Sequence, residues 1–192
     1  MHERNDGRYD LKDLARTPPE LFRKLNDQFS FTIDLATNGP RDSLCERYFS
    51  RNVPVNPTGF LNPDLHLDEG EVGYCNPPYG LDEKGKPQIP VWTARCLDES
   101  IRSGVTIGML LPADTSTLAF HRDILGRDEK GEPTEKGGAA EIIWLWPRVV
   151  FNNPDGTRMQ GSPKFGSMFV VFGGERWSEG MGYPINASMR WK

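Results

Sequence analysis

The apolar residues of this chain come in strand-length runs, and most of the segments between them are long enough to hold helices. That spacing limits the fold more than any other feature. Parallel neighbours in a sheet need a crossover of a dozen or more residues, whereas antiparallel neighbours can be joined by a tight turn. Residues 29–35 alternate, with Phe29, Phe31, Ile33 and Leu35 on one side, and predict a strand. Further strands are predicted at 72–75, 104–111, 140–146, 148–151 and 165–172. Thr17-Pro18-Pro19-Glu20 predicts a helix start, with Thr17 as N-cap, proline in the first turn and an acid three residues on. Leu21, Phe22 and Leu25 then line one helix face. Helices are also expected at 42–49, 90–103 and 115–125, with loops at 51–71 and 126–138. No internal repeat is expected. The pattern predicts an α/β fold, a doubly wound, mostly parallel sheet with helices on both faces. The 192 residues suit one domain, with 1–16 a flexible N-terminal segment and 174–192 a C-terminal tail.

In such sheets ligands bind beyond the carboxyl ends of the strands. Asp34 and Asn76 both fall there. Asn76 opens the run Asn76-Pro77-Pro78-Tyr79, which follows the predicted strand 72–75 and precedes Gly80. The two prolines fix φ and bias the residues before them to extended geometry, so the run is a stiff bracket. The Asn76 side-chain carbonyl and the Pro77 main-chain carbonyl can face one amino group, and Tyr79 offers a ring to stack on. That suits methylation of a conjugated amine such as that of adenine. Its lone pair is delocalised, and two acceptors on its hydrogens favour a more tetrahedral, more nucleophilic nitrogen. The matching donor is a sulfonium, S-adenosylmethionine. In-line positioning is worth roughly 7–11 kcal/mol in such reactions. No strong base is required, in keeping with only three histidines, His2, His66 and His121. The competing reading of the same four residues is a proline-rich turn with no chemical role.

Composition narrows the partners. A net charge of −4 argues against a protein that coats nucleic acid, but not against an enzyme with a local basic groove. Three cysteines, Cys45, Cys75 and Cys96, lack metal-ligand spacing and predict reduced thiols in a cytoplasmic protein. No membrane span and no metal site are expected. Lysines and arginines in 81–89 and 127–137 are the cations best placed to meet phosphates, although carboxylates are mixed among them.

The chain resembles the phage-type DNA N6-adenine methyltransferases over residues 17–172. The resemblance is carried by Thr17-Pro18, residues 31–36, residues 73–80 around Asn-Pro-Pro-Tyr, Trp92, residues 110–115 and residues 165–168 before a terminal Val-Val-Phe. It implies a Rossmann-like class I methyltransferase fold, S-adenosylmethionine as cofactor and a flipped adenine of duplex DNA as acceptor. It further implies a monomer or weak dimer in the cytoplasm, that of the host if viral, with a product that masks restriction sites or marks viral DNA. Asn76, Pro77, Pro78 and Tyr79 would be catalytic. Thr17, Pro18, Asp34, Leu35, Ala36 and Asn76 would meet the donor. Tyr79, Gly80 and Trp92 would meet the acceptor, bordered by Pro112 and Ala113. Each has a structural alternative: Thr17 and Asp34 as caps, Trp92 as core. The segment 34–39 departs from a glycine-rich donor loop, with only Gly39, and Asp64 and Glu46 are both candidates for the donor ribose. A glutamine amide in a protein, an adenine in RNA, or a non-catalytic binding role remain the alternatives.

Overall fold

The computed structural model describes residues 15–50, 59–160, 164–173 and 185–192. In chain order the elements are helix α1 (Pro19–Phe29), strands β1 (Ile33–Thr37), β2 (Arg47–Ser50) and β3 (Val72–Cys75), and helix α2 (Ile89–Ser103). Strand β4 (Thr106–Pro112), a π-helical turn (Phe120–Ile124), and strands β5 (Glu141–Trp146), β6 (Ser167–Phe172) and β7 (Ile185–Arg190) follow. The strands form one sheet in the order β2-β1-β3-β4-β6-β5-β7. Strand β6 alone runs against its neighbours, so the sheet is mostly parallel, as the spacing predicts.

The sheet divides the core into two layers. Ile107, Met109 and Leu111 of β4, with Met168, Val170 and Phe172 of β6, join the layer holding Trp92 and Cys96 of α2. Leu110, Phe169 and Val171 join the opposite layer, with Leu21 and Leu25 of α1, Tyr74 and Trp191. Strands covered on both faces read as continuous apolar runs. This explains why β1, buried along its whole length, does not follow the alternation over 29–35. Phe29 closes α1, and Phe31 lies in the connection. The second layer is aromatic: Phe169 lies 5.6 Å from Phe29, 6.0 Å from Phe31 and 6.3 Å from Tyr74 between ring centroids. Gly108 makes room for it, since a Cβ there would stand 2.2 Å from the Phe169 ring.

Several expectations are corrected. Thr17 is not the N-cap of α1. Pro18 holds that position with no side-chain cap bond, and Thr17 Oγ1 instead lies 2.6 Å from the Tyr74 hydroxyl in β3. Residues 42–49 form no helix. Strand β2 takes their end, and Arg47 pairs with Asp68 and with Glu71. The expected helix over 115–125 is present over 118–124, π-helical from Phe120 to Ile124. Asp114 Oδ1 accepts from both the backbone and the hydroxyl of Ser116, which holds 114–116 in a turn, and Thr117 Oγ1 accepts from Phe120 N as an N-cap does, so the helical stretch begins only after Thr117. Residues 148–151 join no strand. The expected tail carries β7, paired in parallel with β5, and Trp191, which is buried. Residues 1–14 and 174–184 of the expected flexible and tail segments lie outside the described residues.

A repeat is present after all. Asp82-Glu83-Lys84-Gly85 and Asp128-Glu129-Lys130-Gly131 build the same tight hairpin, closed by Leu81–Pro87 and Arg127–Pro133 bridges. In each, one aspartate Oδ1 accepts two backbone N–H groups at 2.7–2.9 Å, and the glycine takes a positive φ. The first follows β3, at the carboxyl ends of the strands. The second precedes β5, so its base lies at the amino ends, away from the position expected for a phosphate contact.

The 59–71 segment is tied to α2 by one buried carboxylate. Glu99 accepts from Leu67 N at 2.8 Å, Arg95 at 2.8 Å and Arg102 at 2.5 Å, with His66 Nδ1 3.1 Å away. Burial alone would raise its pKa, but these donors outweigh burial and hold it at about 2. Among the described residues, no helix is long and apolar enough to cross a membrane.

Candidate active site

Two cavities open at the carboxyl ends of the strands, and the Asn76–Tyr79 bracket stands between them. The first, about 220 Å³, is of mixed polarity. Its wall includes Thr17, Asp34, Ala36, Tyr74 and Asn76, joined by Arg16 and Arg41. The second, about 650 Å³, is mostly apolar. Tyr79, Gly80, Leu111, Pro112, Phe165 and Met168 are on its wall. Asn76 belongs to the first cavity and Tyr79 to the second, while Pro77 and Pro78 are buried between them. The rigid loop expected from two prolines is therefore a partition with the Asn76 side chain on one side and that of Tyr79 on the other.

Both polar ends of the bracket are held. Asn76 Nδ2 donates to Ala15 O at 3.3 Å, which ties the chain before α1 to the end of β3. The Tyr79 hydroxyl lies 3.0 Å from Asn76 Oδ1 and 2.8 Å from Leu110 O. Its ring meets Phe151 edge-on, at 5.8 Å and 82°. Burial, followed by the neighbouring Tyr74 and Cys75, pushes the Tyr79 phenol well above its ordinary pKa. The phenol therefore stays protonated, with one hydrogen for two acceptors. When that hydrogen goes to Leu110 O, Asn76 Oδ1 is left open to an incoming amine.

The first cavity is built from the turn after β1. Asp34 is 4% exposed, and its Oδ1 accepts from Ala36 N at 3.2 Å while Oδ2 accepts from Leu44 N at 3.1 Å. The carboxylate thus both braces the turn, as the capping reading expects, and lines the cavity. Burial first, and the Asp34 charge second, push the adjacent Cys45 thiol up to about 12, which leaves it un-ionised at neutral pH. Arg16 pairs with Asp42, yet its Nε is buried with no hydrogen-bond partner among the described residues. Arg41 is exposed on the same wall. A buried guanidinium donor without an acceptor, beside a second arginine, fits a carboxylate guest.

Thr17, Asp34, Ala36 and Asn76 are brought together, and Tyr79, Gly80 and Pro112 share the second cavity. Leu35 points into the core, and Pro18 is buried behind Pro19, which takes its place on the cavity wall. Trp92 is not at the acceptor mouth. It is 2% exposed and packs on Phe60 at 6.3 Å between centroids. Ala113 stays off the second wall, and neither Asp64 nor Glu46 reaches the first. Arg16, Arg41, Asn152 and Phe165 were not anticipated. The only hint for Arg41 is its place in the Gly39-Pro40-Arg41 turn, just past the end of β1.

A family model described as DNA N-6-adenine-methyltransferase (Dam) matches residues 5–181. The chain is also 28% identical over 151 residues to the protein Ycf2 of Glycine max. That match covers 66% of this chain but only 6% of the length of Ycf2.

Proposed function

The chain belongs to the DNA N-6-adenine-methyltransferase (Dam) family, and from that membership we propose that it transfers a methyl group from S-adenosylmethionine to the N6 amine of an adenine flipped out of duplex DNA. The observation that carries the reading is the bracket between two cavities, with Asn76 facing one and Tyr79 the other. The donor, when bound, supplies a methyl group already activated by a sulfonium. The first cavity suits it in chemistry: Arg16 and Arg41 match its α-carboxylate, and Asp34 and Thr17 offer polar contacts.

The acceptor base enters the larger, apolar cavity and stacks on Tyr79. Its amine displaces the Tyr79 hydroxyl from Asn76 Oδ1 and takes Pro77 O as second acceptor, while the hydroxyl keeps Leu110 O. The nitrogen is then oriented towards the first cavity. It gains the methyl group as the sulfur–carbon bond breaks, and it releases one proton to water. Leu35, Pro18 and Pro78 act as scaffold in this scheme, and Trp92 supports α2 from the core. Site specificity within DNA belongs to the same proposal.

The test is transfer of labelled methyl from S-adenosylmethionine to unmethylated duplex DNA, single-stranded DNA, RNA and protein extract, with the modified group identified by mass spectrometry. N6-methyladenine in DNA is the expected product. Label confined to RNA or protein would replace the acceptor, and no label with a bound donor would end the reading.

A further inference from the structure

The mouth of the second cavity carries large apolar side chains that the fold leaves uncovered. Phe165 and Leu118, both on its wall, are 59% and 55% exposed. Leu81, next to Gly80 of that wall, is 61% exposed. Exposed apolar residues scattered singly are ordinary, but a group around one opening marks an interaction surface. Here the opening is the one that contains Tyr79.

An enzyme that acts on a base inside a duplex must extrude it, and extrusion leaves a gap in the stack. Apolar side chains inserted between base steps are a known way for proteins to hold such a distortion. Of the three rim residues only Phe165 is planar, so only it can stack against the base pairs on both sides of a gap. Its backbone is also anchored on one side. Gly166 O accepts from Ala113 N at 2.9 Å, which ties the chain beside Phe165 to the end of β4, and β6 begins at Ser167. A wedge on a fixed backbone can transmit force to the stack, whereas one on a loose loop would yield.

We infer that Phe165 fills the space vacated by the flipped adenine and holds the duplex open while the base is in the cavity. This rests on the reading of duplex DNA adenine as acceptor.

The experiment compares single-turnover methylation by the unaltered chain, Phe165→Ala and Phe165→Trp on one oligonucleotide in three forms. The target adenine is paired, opposite an abasic site, or in a single strand. The inference expects Phe165→Ala to lose about 5- to 150-fold on the paired form, the range set by one aromatic–base stack. It expects a smaller loss on the other two forms, where the base costs least to extrude. Phe165→Trp should keep the paired-form rate. A 2-aminopurine at the target position should brighten less with Phe165→Ala than with the unaltered chain. Equal losses on all three forms would make Phe165 merely part of the cavity wall, and an unchanged paired-form rate would remove it from the interface. Activity of the unaltered chain on single strands alone would overturn the wedge but not adenine as acceptor. Its inactivity on every form would overturn both.

Discussion

The Tyr79 hydroxyl lies 3.0 Å from the Asn76 Oδ1 that the proposed reaction needs as an acceptor. Tyr79 thereby satisfies the Asn76 amide oxygen until another donor arrives, and Leu110 O at 2.8 Å gives its hydrogen somewhere else to go. The hydroxyl keeps one acceptor while Asn76 Oδ1 gains a donor, so binding the amine leaves neither group unpaired.

Asn76→Ala removes the side-chain acceptor of the bracket. The expected outcome is a loss of about 100-fold or more in the single-turnover rate, the scale on which one preorganised hydrogen-bonding group matters in an active site. Donor affinity, measured by calorimetry, should change little. Retained turnover with weakened donor binding would place Asn76 on the donor side only.

Tyr79 has two separable parts. Tyr79→Phe frees Asn76 Oδ1 and keeps the stacking ring, so methyl transfer should survive. Tyr79→Ala removes the stack and should lose about 5- to 150-fold on DNA. Equal loss in both variants would show that the hydroxyl, not the ring, carries the role.

Arg41→Ala should weaken binding of S-adenosylmethionine by about 1.5–3 kcal/mol, the usual worth of a hydrogen bond to a charged group. Binding of a donor analogue lacking the α-carboxylate should be unaffected by the substitution. Calorimetry with both ligands reads the difference, and an equal loss for both would take Arg41 off the carboxylate.

Glu99→Gln tests the clamp between α2 and the 59–71 segment. Leaving Arg95 and Arg102 without their buried carboxylate should cost about 3–5 kcal/mol in chemical denaturation. The native pKa of Glu99 is depressed to about 2 from an ordinary 4.5, so its contribution is fully present above pH 4.5. That contribution disappears as the pH falls towards 2. The variant should therefore show a shallower acid dependence of stability, and an unchanged one would mean the clamp carries no net stability.

Gly108→Ala should destabilise the fold by about 1–3 kcal/mol through overpacking against Phe169. A denaturation midpoint equal to that of the unaltered chain would show that the aromatic layer can yield.

The sequence by itself determined the sheet class, the long helix α2, and the place of the Asn-Pro-Pro-Tyr bracket at the end of a strand. These features follow from local patterns: strand-length apolar runs, a 15-residue helical segment, and the fixed φ of two prolines. Tertiary structure decided the rest. Thr17 has the local signature of a cap, yet its hydroxyl pairs with that of Tyr74, 57 positions away in sequence. Trp92 suits either a core or a cavity wall by type, and only the packing of Phe60 against it settles which. Arg16, Arg41 and Phe165 gained their positions because the sheet order brings the ends of β1, β3 and β4 together with the start of β6. Local propensity is set by neighbours in the chain. A cavity is set by neighbours in space, and which residues share it depends on strand order and register, to which single-residue preferences are blind.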